Sequence, residues 1–177
     1  MSTRRLLVFV LLGACSGGEP DPLDPDVIDM VGKGQGDAEG DARSGVYVLH
    51  TAGERSCDCP TVMEFDLCEA DFTQIGDNAV VTFDQSDGYL LLAPEAAPGT
   101  LSLTGSLDAD GTFDLAGVYD LGSILGDLDL TTRLGGEFAG ANRFTALLRT
   151  RIRGTIQGDD IDCRTEQGVT GERQSSP

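Results

Sequence analysis

Apolar and polar positions alternate along most of the chain in short runs, separated by clusters of Gly, Asp, Asn, Ser and Pro. The runs fall at residues 46–51, 61–67, 72–75, 80–83, 89–93, 101–107, 112–119, 128–138, 144–156 and 161–173. A period of two sends successive side chains to opposite faces of an extended strand, and turn residues between such runs mark antiparallel hairpins. Gly76-Asp77-Asn78, Ser86-Asp87-Gly88 and Asp108-Ala109-Asp110-Gly111 are the clearest turns. The run over 61–67 reads equally as a strand or a helical turn. No long helical period competes, so the pattern predicts an all-β domain over residues 45–173, with 174–177 as a tail.

Four of the runs share a further pattern. Leu103-x-Gly105-x-Leu107, Leu115-x-Gly117-x-Tyr119, Leu134-x-Gly136-x-Phe138 and Ile152-x-Gly154-x-Ile156 each place a glycine between large apolar residues on one face. Glycine weakens a strand unless it permits curvature or close approach, so four of them predict a strongly coiled sheet. The spacing to the next aromatic is the same in two hairpins, ending at Phe113 and Phe144. The expected architecture is an antiparallel meander closing into a small barrel of about eight or nine strands, with a two-sheet sandwich as the alternative. If Phe138 faces Phe144, Asp129 lies opposite Arg153, a cross-strand pair worth about 0.2 to 1 kcal/mol.

Upstream of this domain the pattern changes. Arg4-Arg5 precede an uninterrupted apolar run over residues 6–12, and Gly13-Ala14 follow it. A membrane-spanning helix needs about 20 apolar residues to cross roughly 30 Å of hydrocarbon, so this run does not span. Charge, apolar centre and small residues in that order make residues 1–14 a secretory signal. Leu12-Gly13-Ala14-Cys15 resembles the lipobox of bacterial lipoproteins. The resemblance implies cleavage before Cys15, a diacylglycerol thioether and an acylated amine on Cys15, and attachment to a membrane. In enterobacterial lipoproteins an Asp after the cysteine marks retention in the inner membrane; Ser16 stands there instead, which implies the outer membrane. An ordinary signal with a chance cysteine is the alternative.

Residues 15–44 are rich in Gly, Pro and Asp and predict a disordered tether with a root-mean-square span of about 30 Å. Val27, Ile28, Met30 and Val31 form an apolar island within it, open to docking but read as a chance cluster.

The cysteines fit export. With Cys15 given to lipid, Cys57, Cys59, Cys68 and Cys163 remain, an even number in a compartment that permits disulfides. A bridge within Cys57-Asp58-Cys59 would close too tight a ring, so Cys57 and Cys59 pair with Cys68 and Cys163 in one order or the other. A four-thiolate zinc site is the rival, but the paired C-x-x-C knuckles of such sites are missing. Neither a metal nor a cofactor is expected.

Net charge argues against binding polyanions through bulk charge. The 177 residues carry 30 Asp and Glu against 12 Lys and Arg, a net charge of -18, and removal of Arg4 and Arg5 takes two more positive charges away. Bulk charge of this sign repels nucleic acid and anionic lipid. The excess lies before residue 128; from Leu128 onward seven Arg balance seven Asp and Glu. Arg149, Arg151 and Arg153 share one face of their strand, opposite Leu148, Ile152 and Ile156, and are read as a solvated face rather than a grip on an acidic partner.

Catalytic groups are sparse. The one histidine, His50, ends the first strand outside any triad context, and Gly122-Ser123 lacks the G-x-S-x-G elbow. Asp108-Ala109-Asp110-Gly111 is too short for a calcium loop and reads as a hairpin turn. The phrases F-T-Q-I-G-D-N-A-V-V-T-F and L-T-G-S-L-D-A-D-G-T-F-D-L resemble lipocalin-like meanders of exported bacterial proteins, although the lipocalin Gly-x-Trp signature is missing from a chain without Trp. The expectation is a non-catalytic, lipid-anchored module that binds or docks to something in the cell envelope, an envelope protein among the candidates. The alternative is a carrier of a small apolar ligand held between Leu103, Leu115, Leu134 and Ile152, with Leu121, Ile124 and Leu125 as a lid. An envelope hydrolase is the least favoured reading.

Overall fold

The computed structural model describes residues 20–62, 65–69, 75–95, 101–122, 127–156 and 158–174. One helix, α1 (Pro25–Gly32), precedes strands β1 (Gly45–Asp58), β2 (Thr61–Val62), β3 (Phe65–Asp66), β4 (Val80–Ser86), β5 (Tyr89–Pro94), β6 (Leu103–Leu107), β7 (Thr112–Asp120), β8 (Asp127–Phe138), β9 (Arg143–Ile156) and β10 (Asp159–Arg173). Strands β4 to β10 pair antiparallel, each with the next in the chain, and β1 closes the ring by pairing with both β10 and β4. Eight strands thus form the closed meander expected from the alternation, and a sheet that closes on itself is not the sandwich. Within the run over 61–67, β2 and β3 pair as a separate ribbon, Thr61 with Asp66 and Val62 with Phe65. The expected strand over 72–75 lies outside the described residues except for Ile75, which is buried in the core.

The register follows the glycine and aromatic pattern. Phe138 pairs with Phe144 and Asp129 with Arg153. At Gly136 a Cβ would collide with the carbonyl of Thr145, and at Gly154 with that of Asp127, so the neighbouring strand approaches where only glycine leaves room. Gly154 also has φ +141°, a conformation side chains oppose. These close approaches let the sheet coil tightly enough to close.

The interior has two apolar layers. At one end Tyr47, Phe83, Phe113, Phe138 and Phe144 interlock with ring centroids 5.1 to 6.1 Å apart, mostly edge to face. Leu90, Leu92, Leu103, Leu115 and Leu134 complete that layer. At the other end Leu128, Leu130, Ile152, Ile156, Ile161 and Cys163 pack under Val62 and Leu67.

The expected tether is corrected over residues 20–44, and the folded unit begins at 20 rather than 45. Asp24 caps α1 by accepting from the amide of Asp26, with Pro25 in the first turn, where its missing N–H costs nothing. Leu23 and Ile28 bury against Ala116 on the outside of β7, so the apolar island is the inner face of a helix. The chain then crosses the ends of two hairpins: Gly36 donates to the carbonyl of Gly88 at 2.8 Å and Ala38 to that of Leu107 at 3.1 Å. Gly40 donates to Asp87 and Arg43 to buried Gln85 before β1 begins. This strap runs around the outside of the ring and covers its aromatic end, where the Arg43 guanidinium lies over the Phe138 ring. Composition pointed to disorder because the partners that order this segment, hairpin carbonyls and a small apolar patch on β7, belong to distant sequence.

Candidate functional site

Inside the ring, the residues expected to line a cavity separate into two groups. Leu103, Leu115 and Leu134 are fully buried against the aromatic rings, while Ile152 belongs to the other layer, with Leu121 at its edge. Ile124 and Leu125 lie outside the described residues. Between the layers runs a row that sequence reading missed. Thr132, Thr150 and Thr165 occupy paired inward positions on β8, β9 and β10. The hydroxyls of Thr150 and Thr165 are 2.6 Å apart, but the fully buried hydroxyl of Thr132 has no hydrogen-bond partner among the described residues. An unpaired buried hydroxyl costs about 1 to 3 kcal/mol. The signal was present as Thr132 at an inward position of an alternating run, but alternation does not say which threonines align across strands.

At the end away from the rings, Cys57 is bonded to Cys68 and Cys59 to Cys163. The Sγ atoms of Cys57, Cys59 and Cys68 lie within 4.8 Å of one another, yet as cystines they offer no thiolate for zinc. The bridges close loops separated by 11 and 104 residues, tying the β2–β3 ribbon to β10.

The outer face of β8 to β10 carries the densest set of charges. Arg151 makes a bidentate contact with Asp162 at 2.7 and 2.6 Å and reaches Asp21 of the strap at 3.0 Å. Arg164 donates to the same Asp21 oxygen at 2.7 Å. Next to it, Arg133 grips Asp114 with two bonds of 2.9 and 2.6 Å and also meets the carbonyl of Pro22. The amide of Leu23, then Arg164 and Arg151, hold the Asp21 carboxyl below its ordinary range. The bond from Arg151 does the same for Asp162 and in turn raises the pKa of Arg151. Arg151 is only 6% exposed although it points outward, because the strap covers it. Of the three arginines expected on a solvated face, Arg151 is instead buried in a clasp for the N-terminal segment, which it shares with Arg164 of β10. Arg149 pairs with Glu166 at 2.7 Å, and Arg153 lies 3.6 Å from Asp162 as well as opposite Asp129.

The remaining candidates take local roles. His50 faces outward on β1 with Nδ1 3.5 Å from exposed Asp77. Asp110 accepts from the amide of Thr112 at 2.8 Å and Asp37 from that of Ala109 at 2.7 Å, so these carboxylates brace a hairpin turn. No protein-family model, curated protein or solved structure matches the chain.

Proposed function

We propose that the mature chain is a lipid-anchored protein of the bacterial outer membrane whose all-β ring is a non-catalytic docking module. The observation that carries this reading is the order Arg4-Arg5, apolar residues 6–12 and Leu12-Gly13-Ala14-Cys15. The two cystines agree with it, since such bonds persist in exported proteins. Two or more acyl chains on Cys15 give lasting attachment, at about 0.8 kcal/mol per buried methylene. The interlocked rings and the strap fill and cover one end of the ring, which favours action through the exterior. The intact mass of protein extracted from membranes tests the anchor: acyl mass on Cys15, lost in Cys15→Ser protein, is the expected result. Unmodified mature chain in the culture medium would sink the reading.

The carrier reading has one observation in its favour, the threonine row between two apolar layers, with the Thr132 hydroxyl unpaired. A small ligand with a polar group at that level and an apolar body beside Ile152 and Leu130 would suit it. Native mass spectrometry of the Cys15→Ser chain with its disulfides intact decides: non-covalent mass that leaves on activation supports a carrier, and a bare mass removes it.

A further inference from the structure

The anchor and the strap together say which side of the ring meets the bilayer. We infer that the groove between α1 and the arginine face of β8 to β10 is the surface on which the protein lies against the phospholipid headgroups that hold its anchor. This inference rests on lipidation of Cys15.

Chain length is the first argument. Five residue steps separate Cys15 from Pro20, and a fully extended chain covers at most about 3.6 Å per residue, or roughly 18 Å here. At Asp21 the chain is already clasped by Arg151 and Arg164. The ring therefore cannot drift from the membrane on a long tether, and the part nearest the anchor is the part beside Pro20.

The chemistry of that part is the second argument. A groove of about 760 Å³ opens there, lined by Val27 and Met30 of α1 and by Arg133, Arg149 and Arg164 of the sheet, and Asp21, paired to Arg164, also lies in its lining. Met30 is 67% exposed, more than any other large apolar side chain among the described residues. Among those residues Arg149 donates only from Nε, to Glu166, and Arg164 only from Nη2, to Asp21. A guanidinium has five N–H donors, so both retain several for phosphate oxygens. An apolar wall facing a guanidinium wall fits a phospholipid, with its phosphate on the arginines and its glycerol and upper acyl carbons against Val27 and Met30.

The acidic residues of α1 offset this only in part: Asp24 caps the helix and Asp29 is held by Lys33 at 2.6 Å, which leaves Asp26 as the exposed carboxylate of the first turn. On a chain of net charge -18, a local patch of arginines is what makes one side approach a phosphate surface in preference to the others.

Because the chain has no Trp, a single substitution gives a clean reporter. Met30→Trp and His50→Trp place it on opposite sides of the ring, since β1 lies across the strand order from β7, on which α1 packs. Both variants, acylated, are reconstituted into vesicles of phosphatidylethanolamine and phosphatidylglycerol containing brominated phosphatidylcholine. The expected result is blue-shifted and strongly quenched emission from Met30→Trp and unshifted, unquenched emission from His50→Trp. Adding Arg149→Glu to Met30→Trp should return much of the emission. Equal emission from the two reporters, or quenching of His50→Trp alone, overturns the inference while the anchor stands. Protein that does not float with the vesicles and carries no acyl mass overturns the anchor, and the inference with it.

Discussion

Thr132 sets the sharpest test at the scale of one residue. Its hydroxyl is fully buried and has no hydrogen-bond partner among the described residues, whereas Thr150 and Thr165 satisfy each other. Thr132→Val keeps the β-branched shape and removes the polar group, so it is expected to raise stability by about 1 kcal/mol in urea unfolding, with an unchanged slope. A loss of more than that amount would mean that the hydroxyl has a partner in solution. Phe83 is the opposite case. It touches Tyr47, Phe113, Phe138 and Phe144 at 5.2 to 6.1 Å, and Phe83→Ala should cost about 3 to 5 kcal/mol by the same measurement. The burial of such aromatics was legible in the alternation. The threonine row was not, because alignment across β8, β9 and β10 depends on the register of three strands at once.

Among the elements, the strap behaves unlike the strands. It is held at its start by ion pairs, in its middle by Leu23 and Ile28, and at its end by backbone bonds to the hairpins. The carboxyls of Asp21 and Asp162 have folded-state pKa values below their ordinary 3.8. A depressed carboxyl contributes stability that is present above its unfolded pKa and lost as pH falls through the folded value. The start of the strap should therefore stay bound through pH 5 and release only below the ordinary Asp range. In NMR the methyl signals of Leu23 should keep their folded shifts until that point and then move, while the ring signals of Phe113 hold. Movement of the Leu23 signals near neutral pH would refute the clasp.

At the scale of the whole molecule, two cystines brace the end that has fewer large rings. In the chain-entropy account, the bond closing 104 residues contributes about 4 to 5 kcal/mol and the one closing 11 about 2 to 3. Cys59→Ser with Cys163→Ser should accordingly lower the urea midpoint more than Cys57→Ser with Cys68→Ser. The reverse order would mean that residual structure in the unfolded chain, rather than loop length, sets the effect. Closure of the ring also explains why β1 is long. Its first residues, Gly45 to Val48, pair with β4, Tyr47 to Asp58 follow β10, and a bulge between Ala52 and Ser56 interrupts that register.

The sequence alone determined that the domain is an antiparallel meander and that Cys57 and Cys59 take Cys68 and Cys163 as partners in one order or the other. Each follows from local spacing: a period of two, turn residues between runs, and the short reach of C-x-C. Only the tertiary structure decided which cysteine takes which partner, that residues 20–44 wrap the ring, and that Arg151 is buried beneath Asp21. Those facts depend on tertiary contacts, among them pairs 42 residues apart at Arg43 and Gln85 and 130 apart at Asp21 and Arg151. Their free energy is absent from any local window, and the glycine- and aspartate-rich strap has order only because the ring supplies its partners.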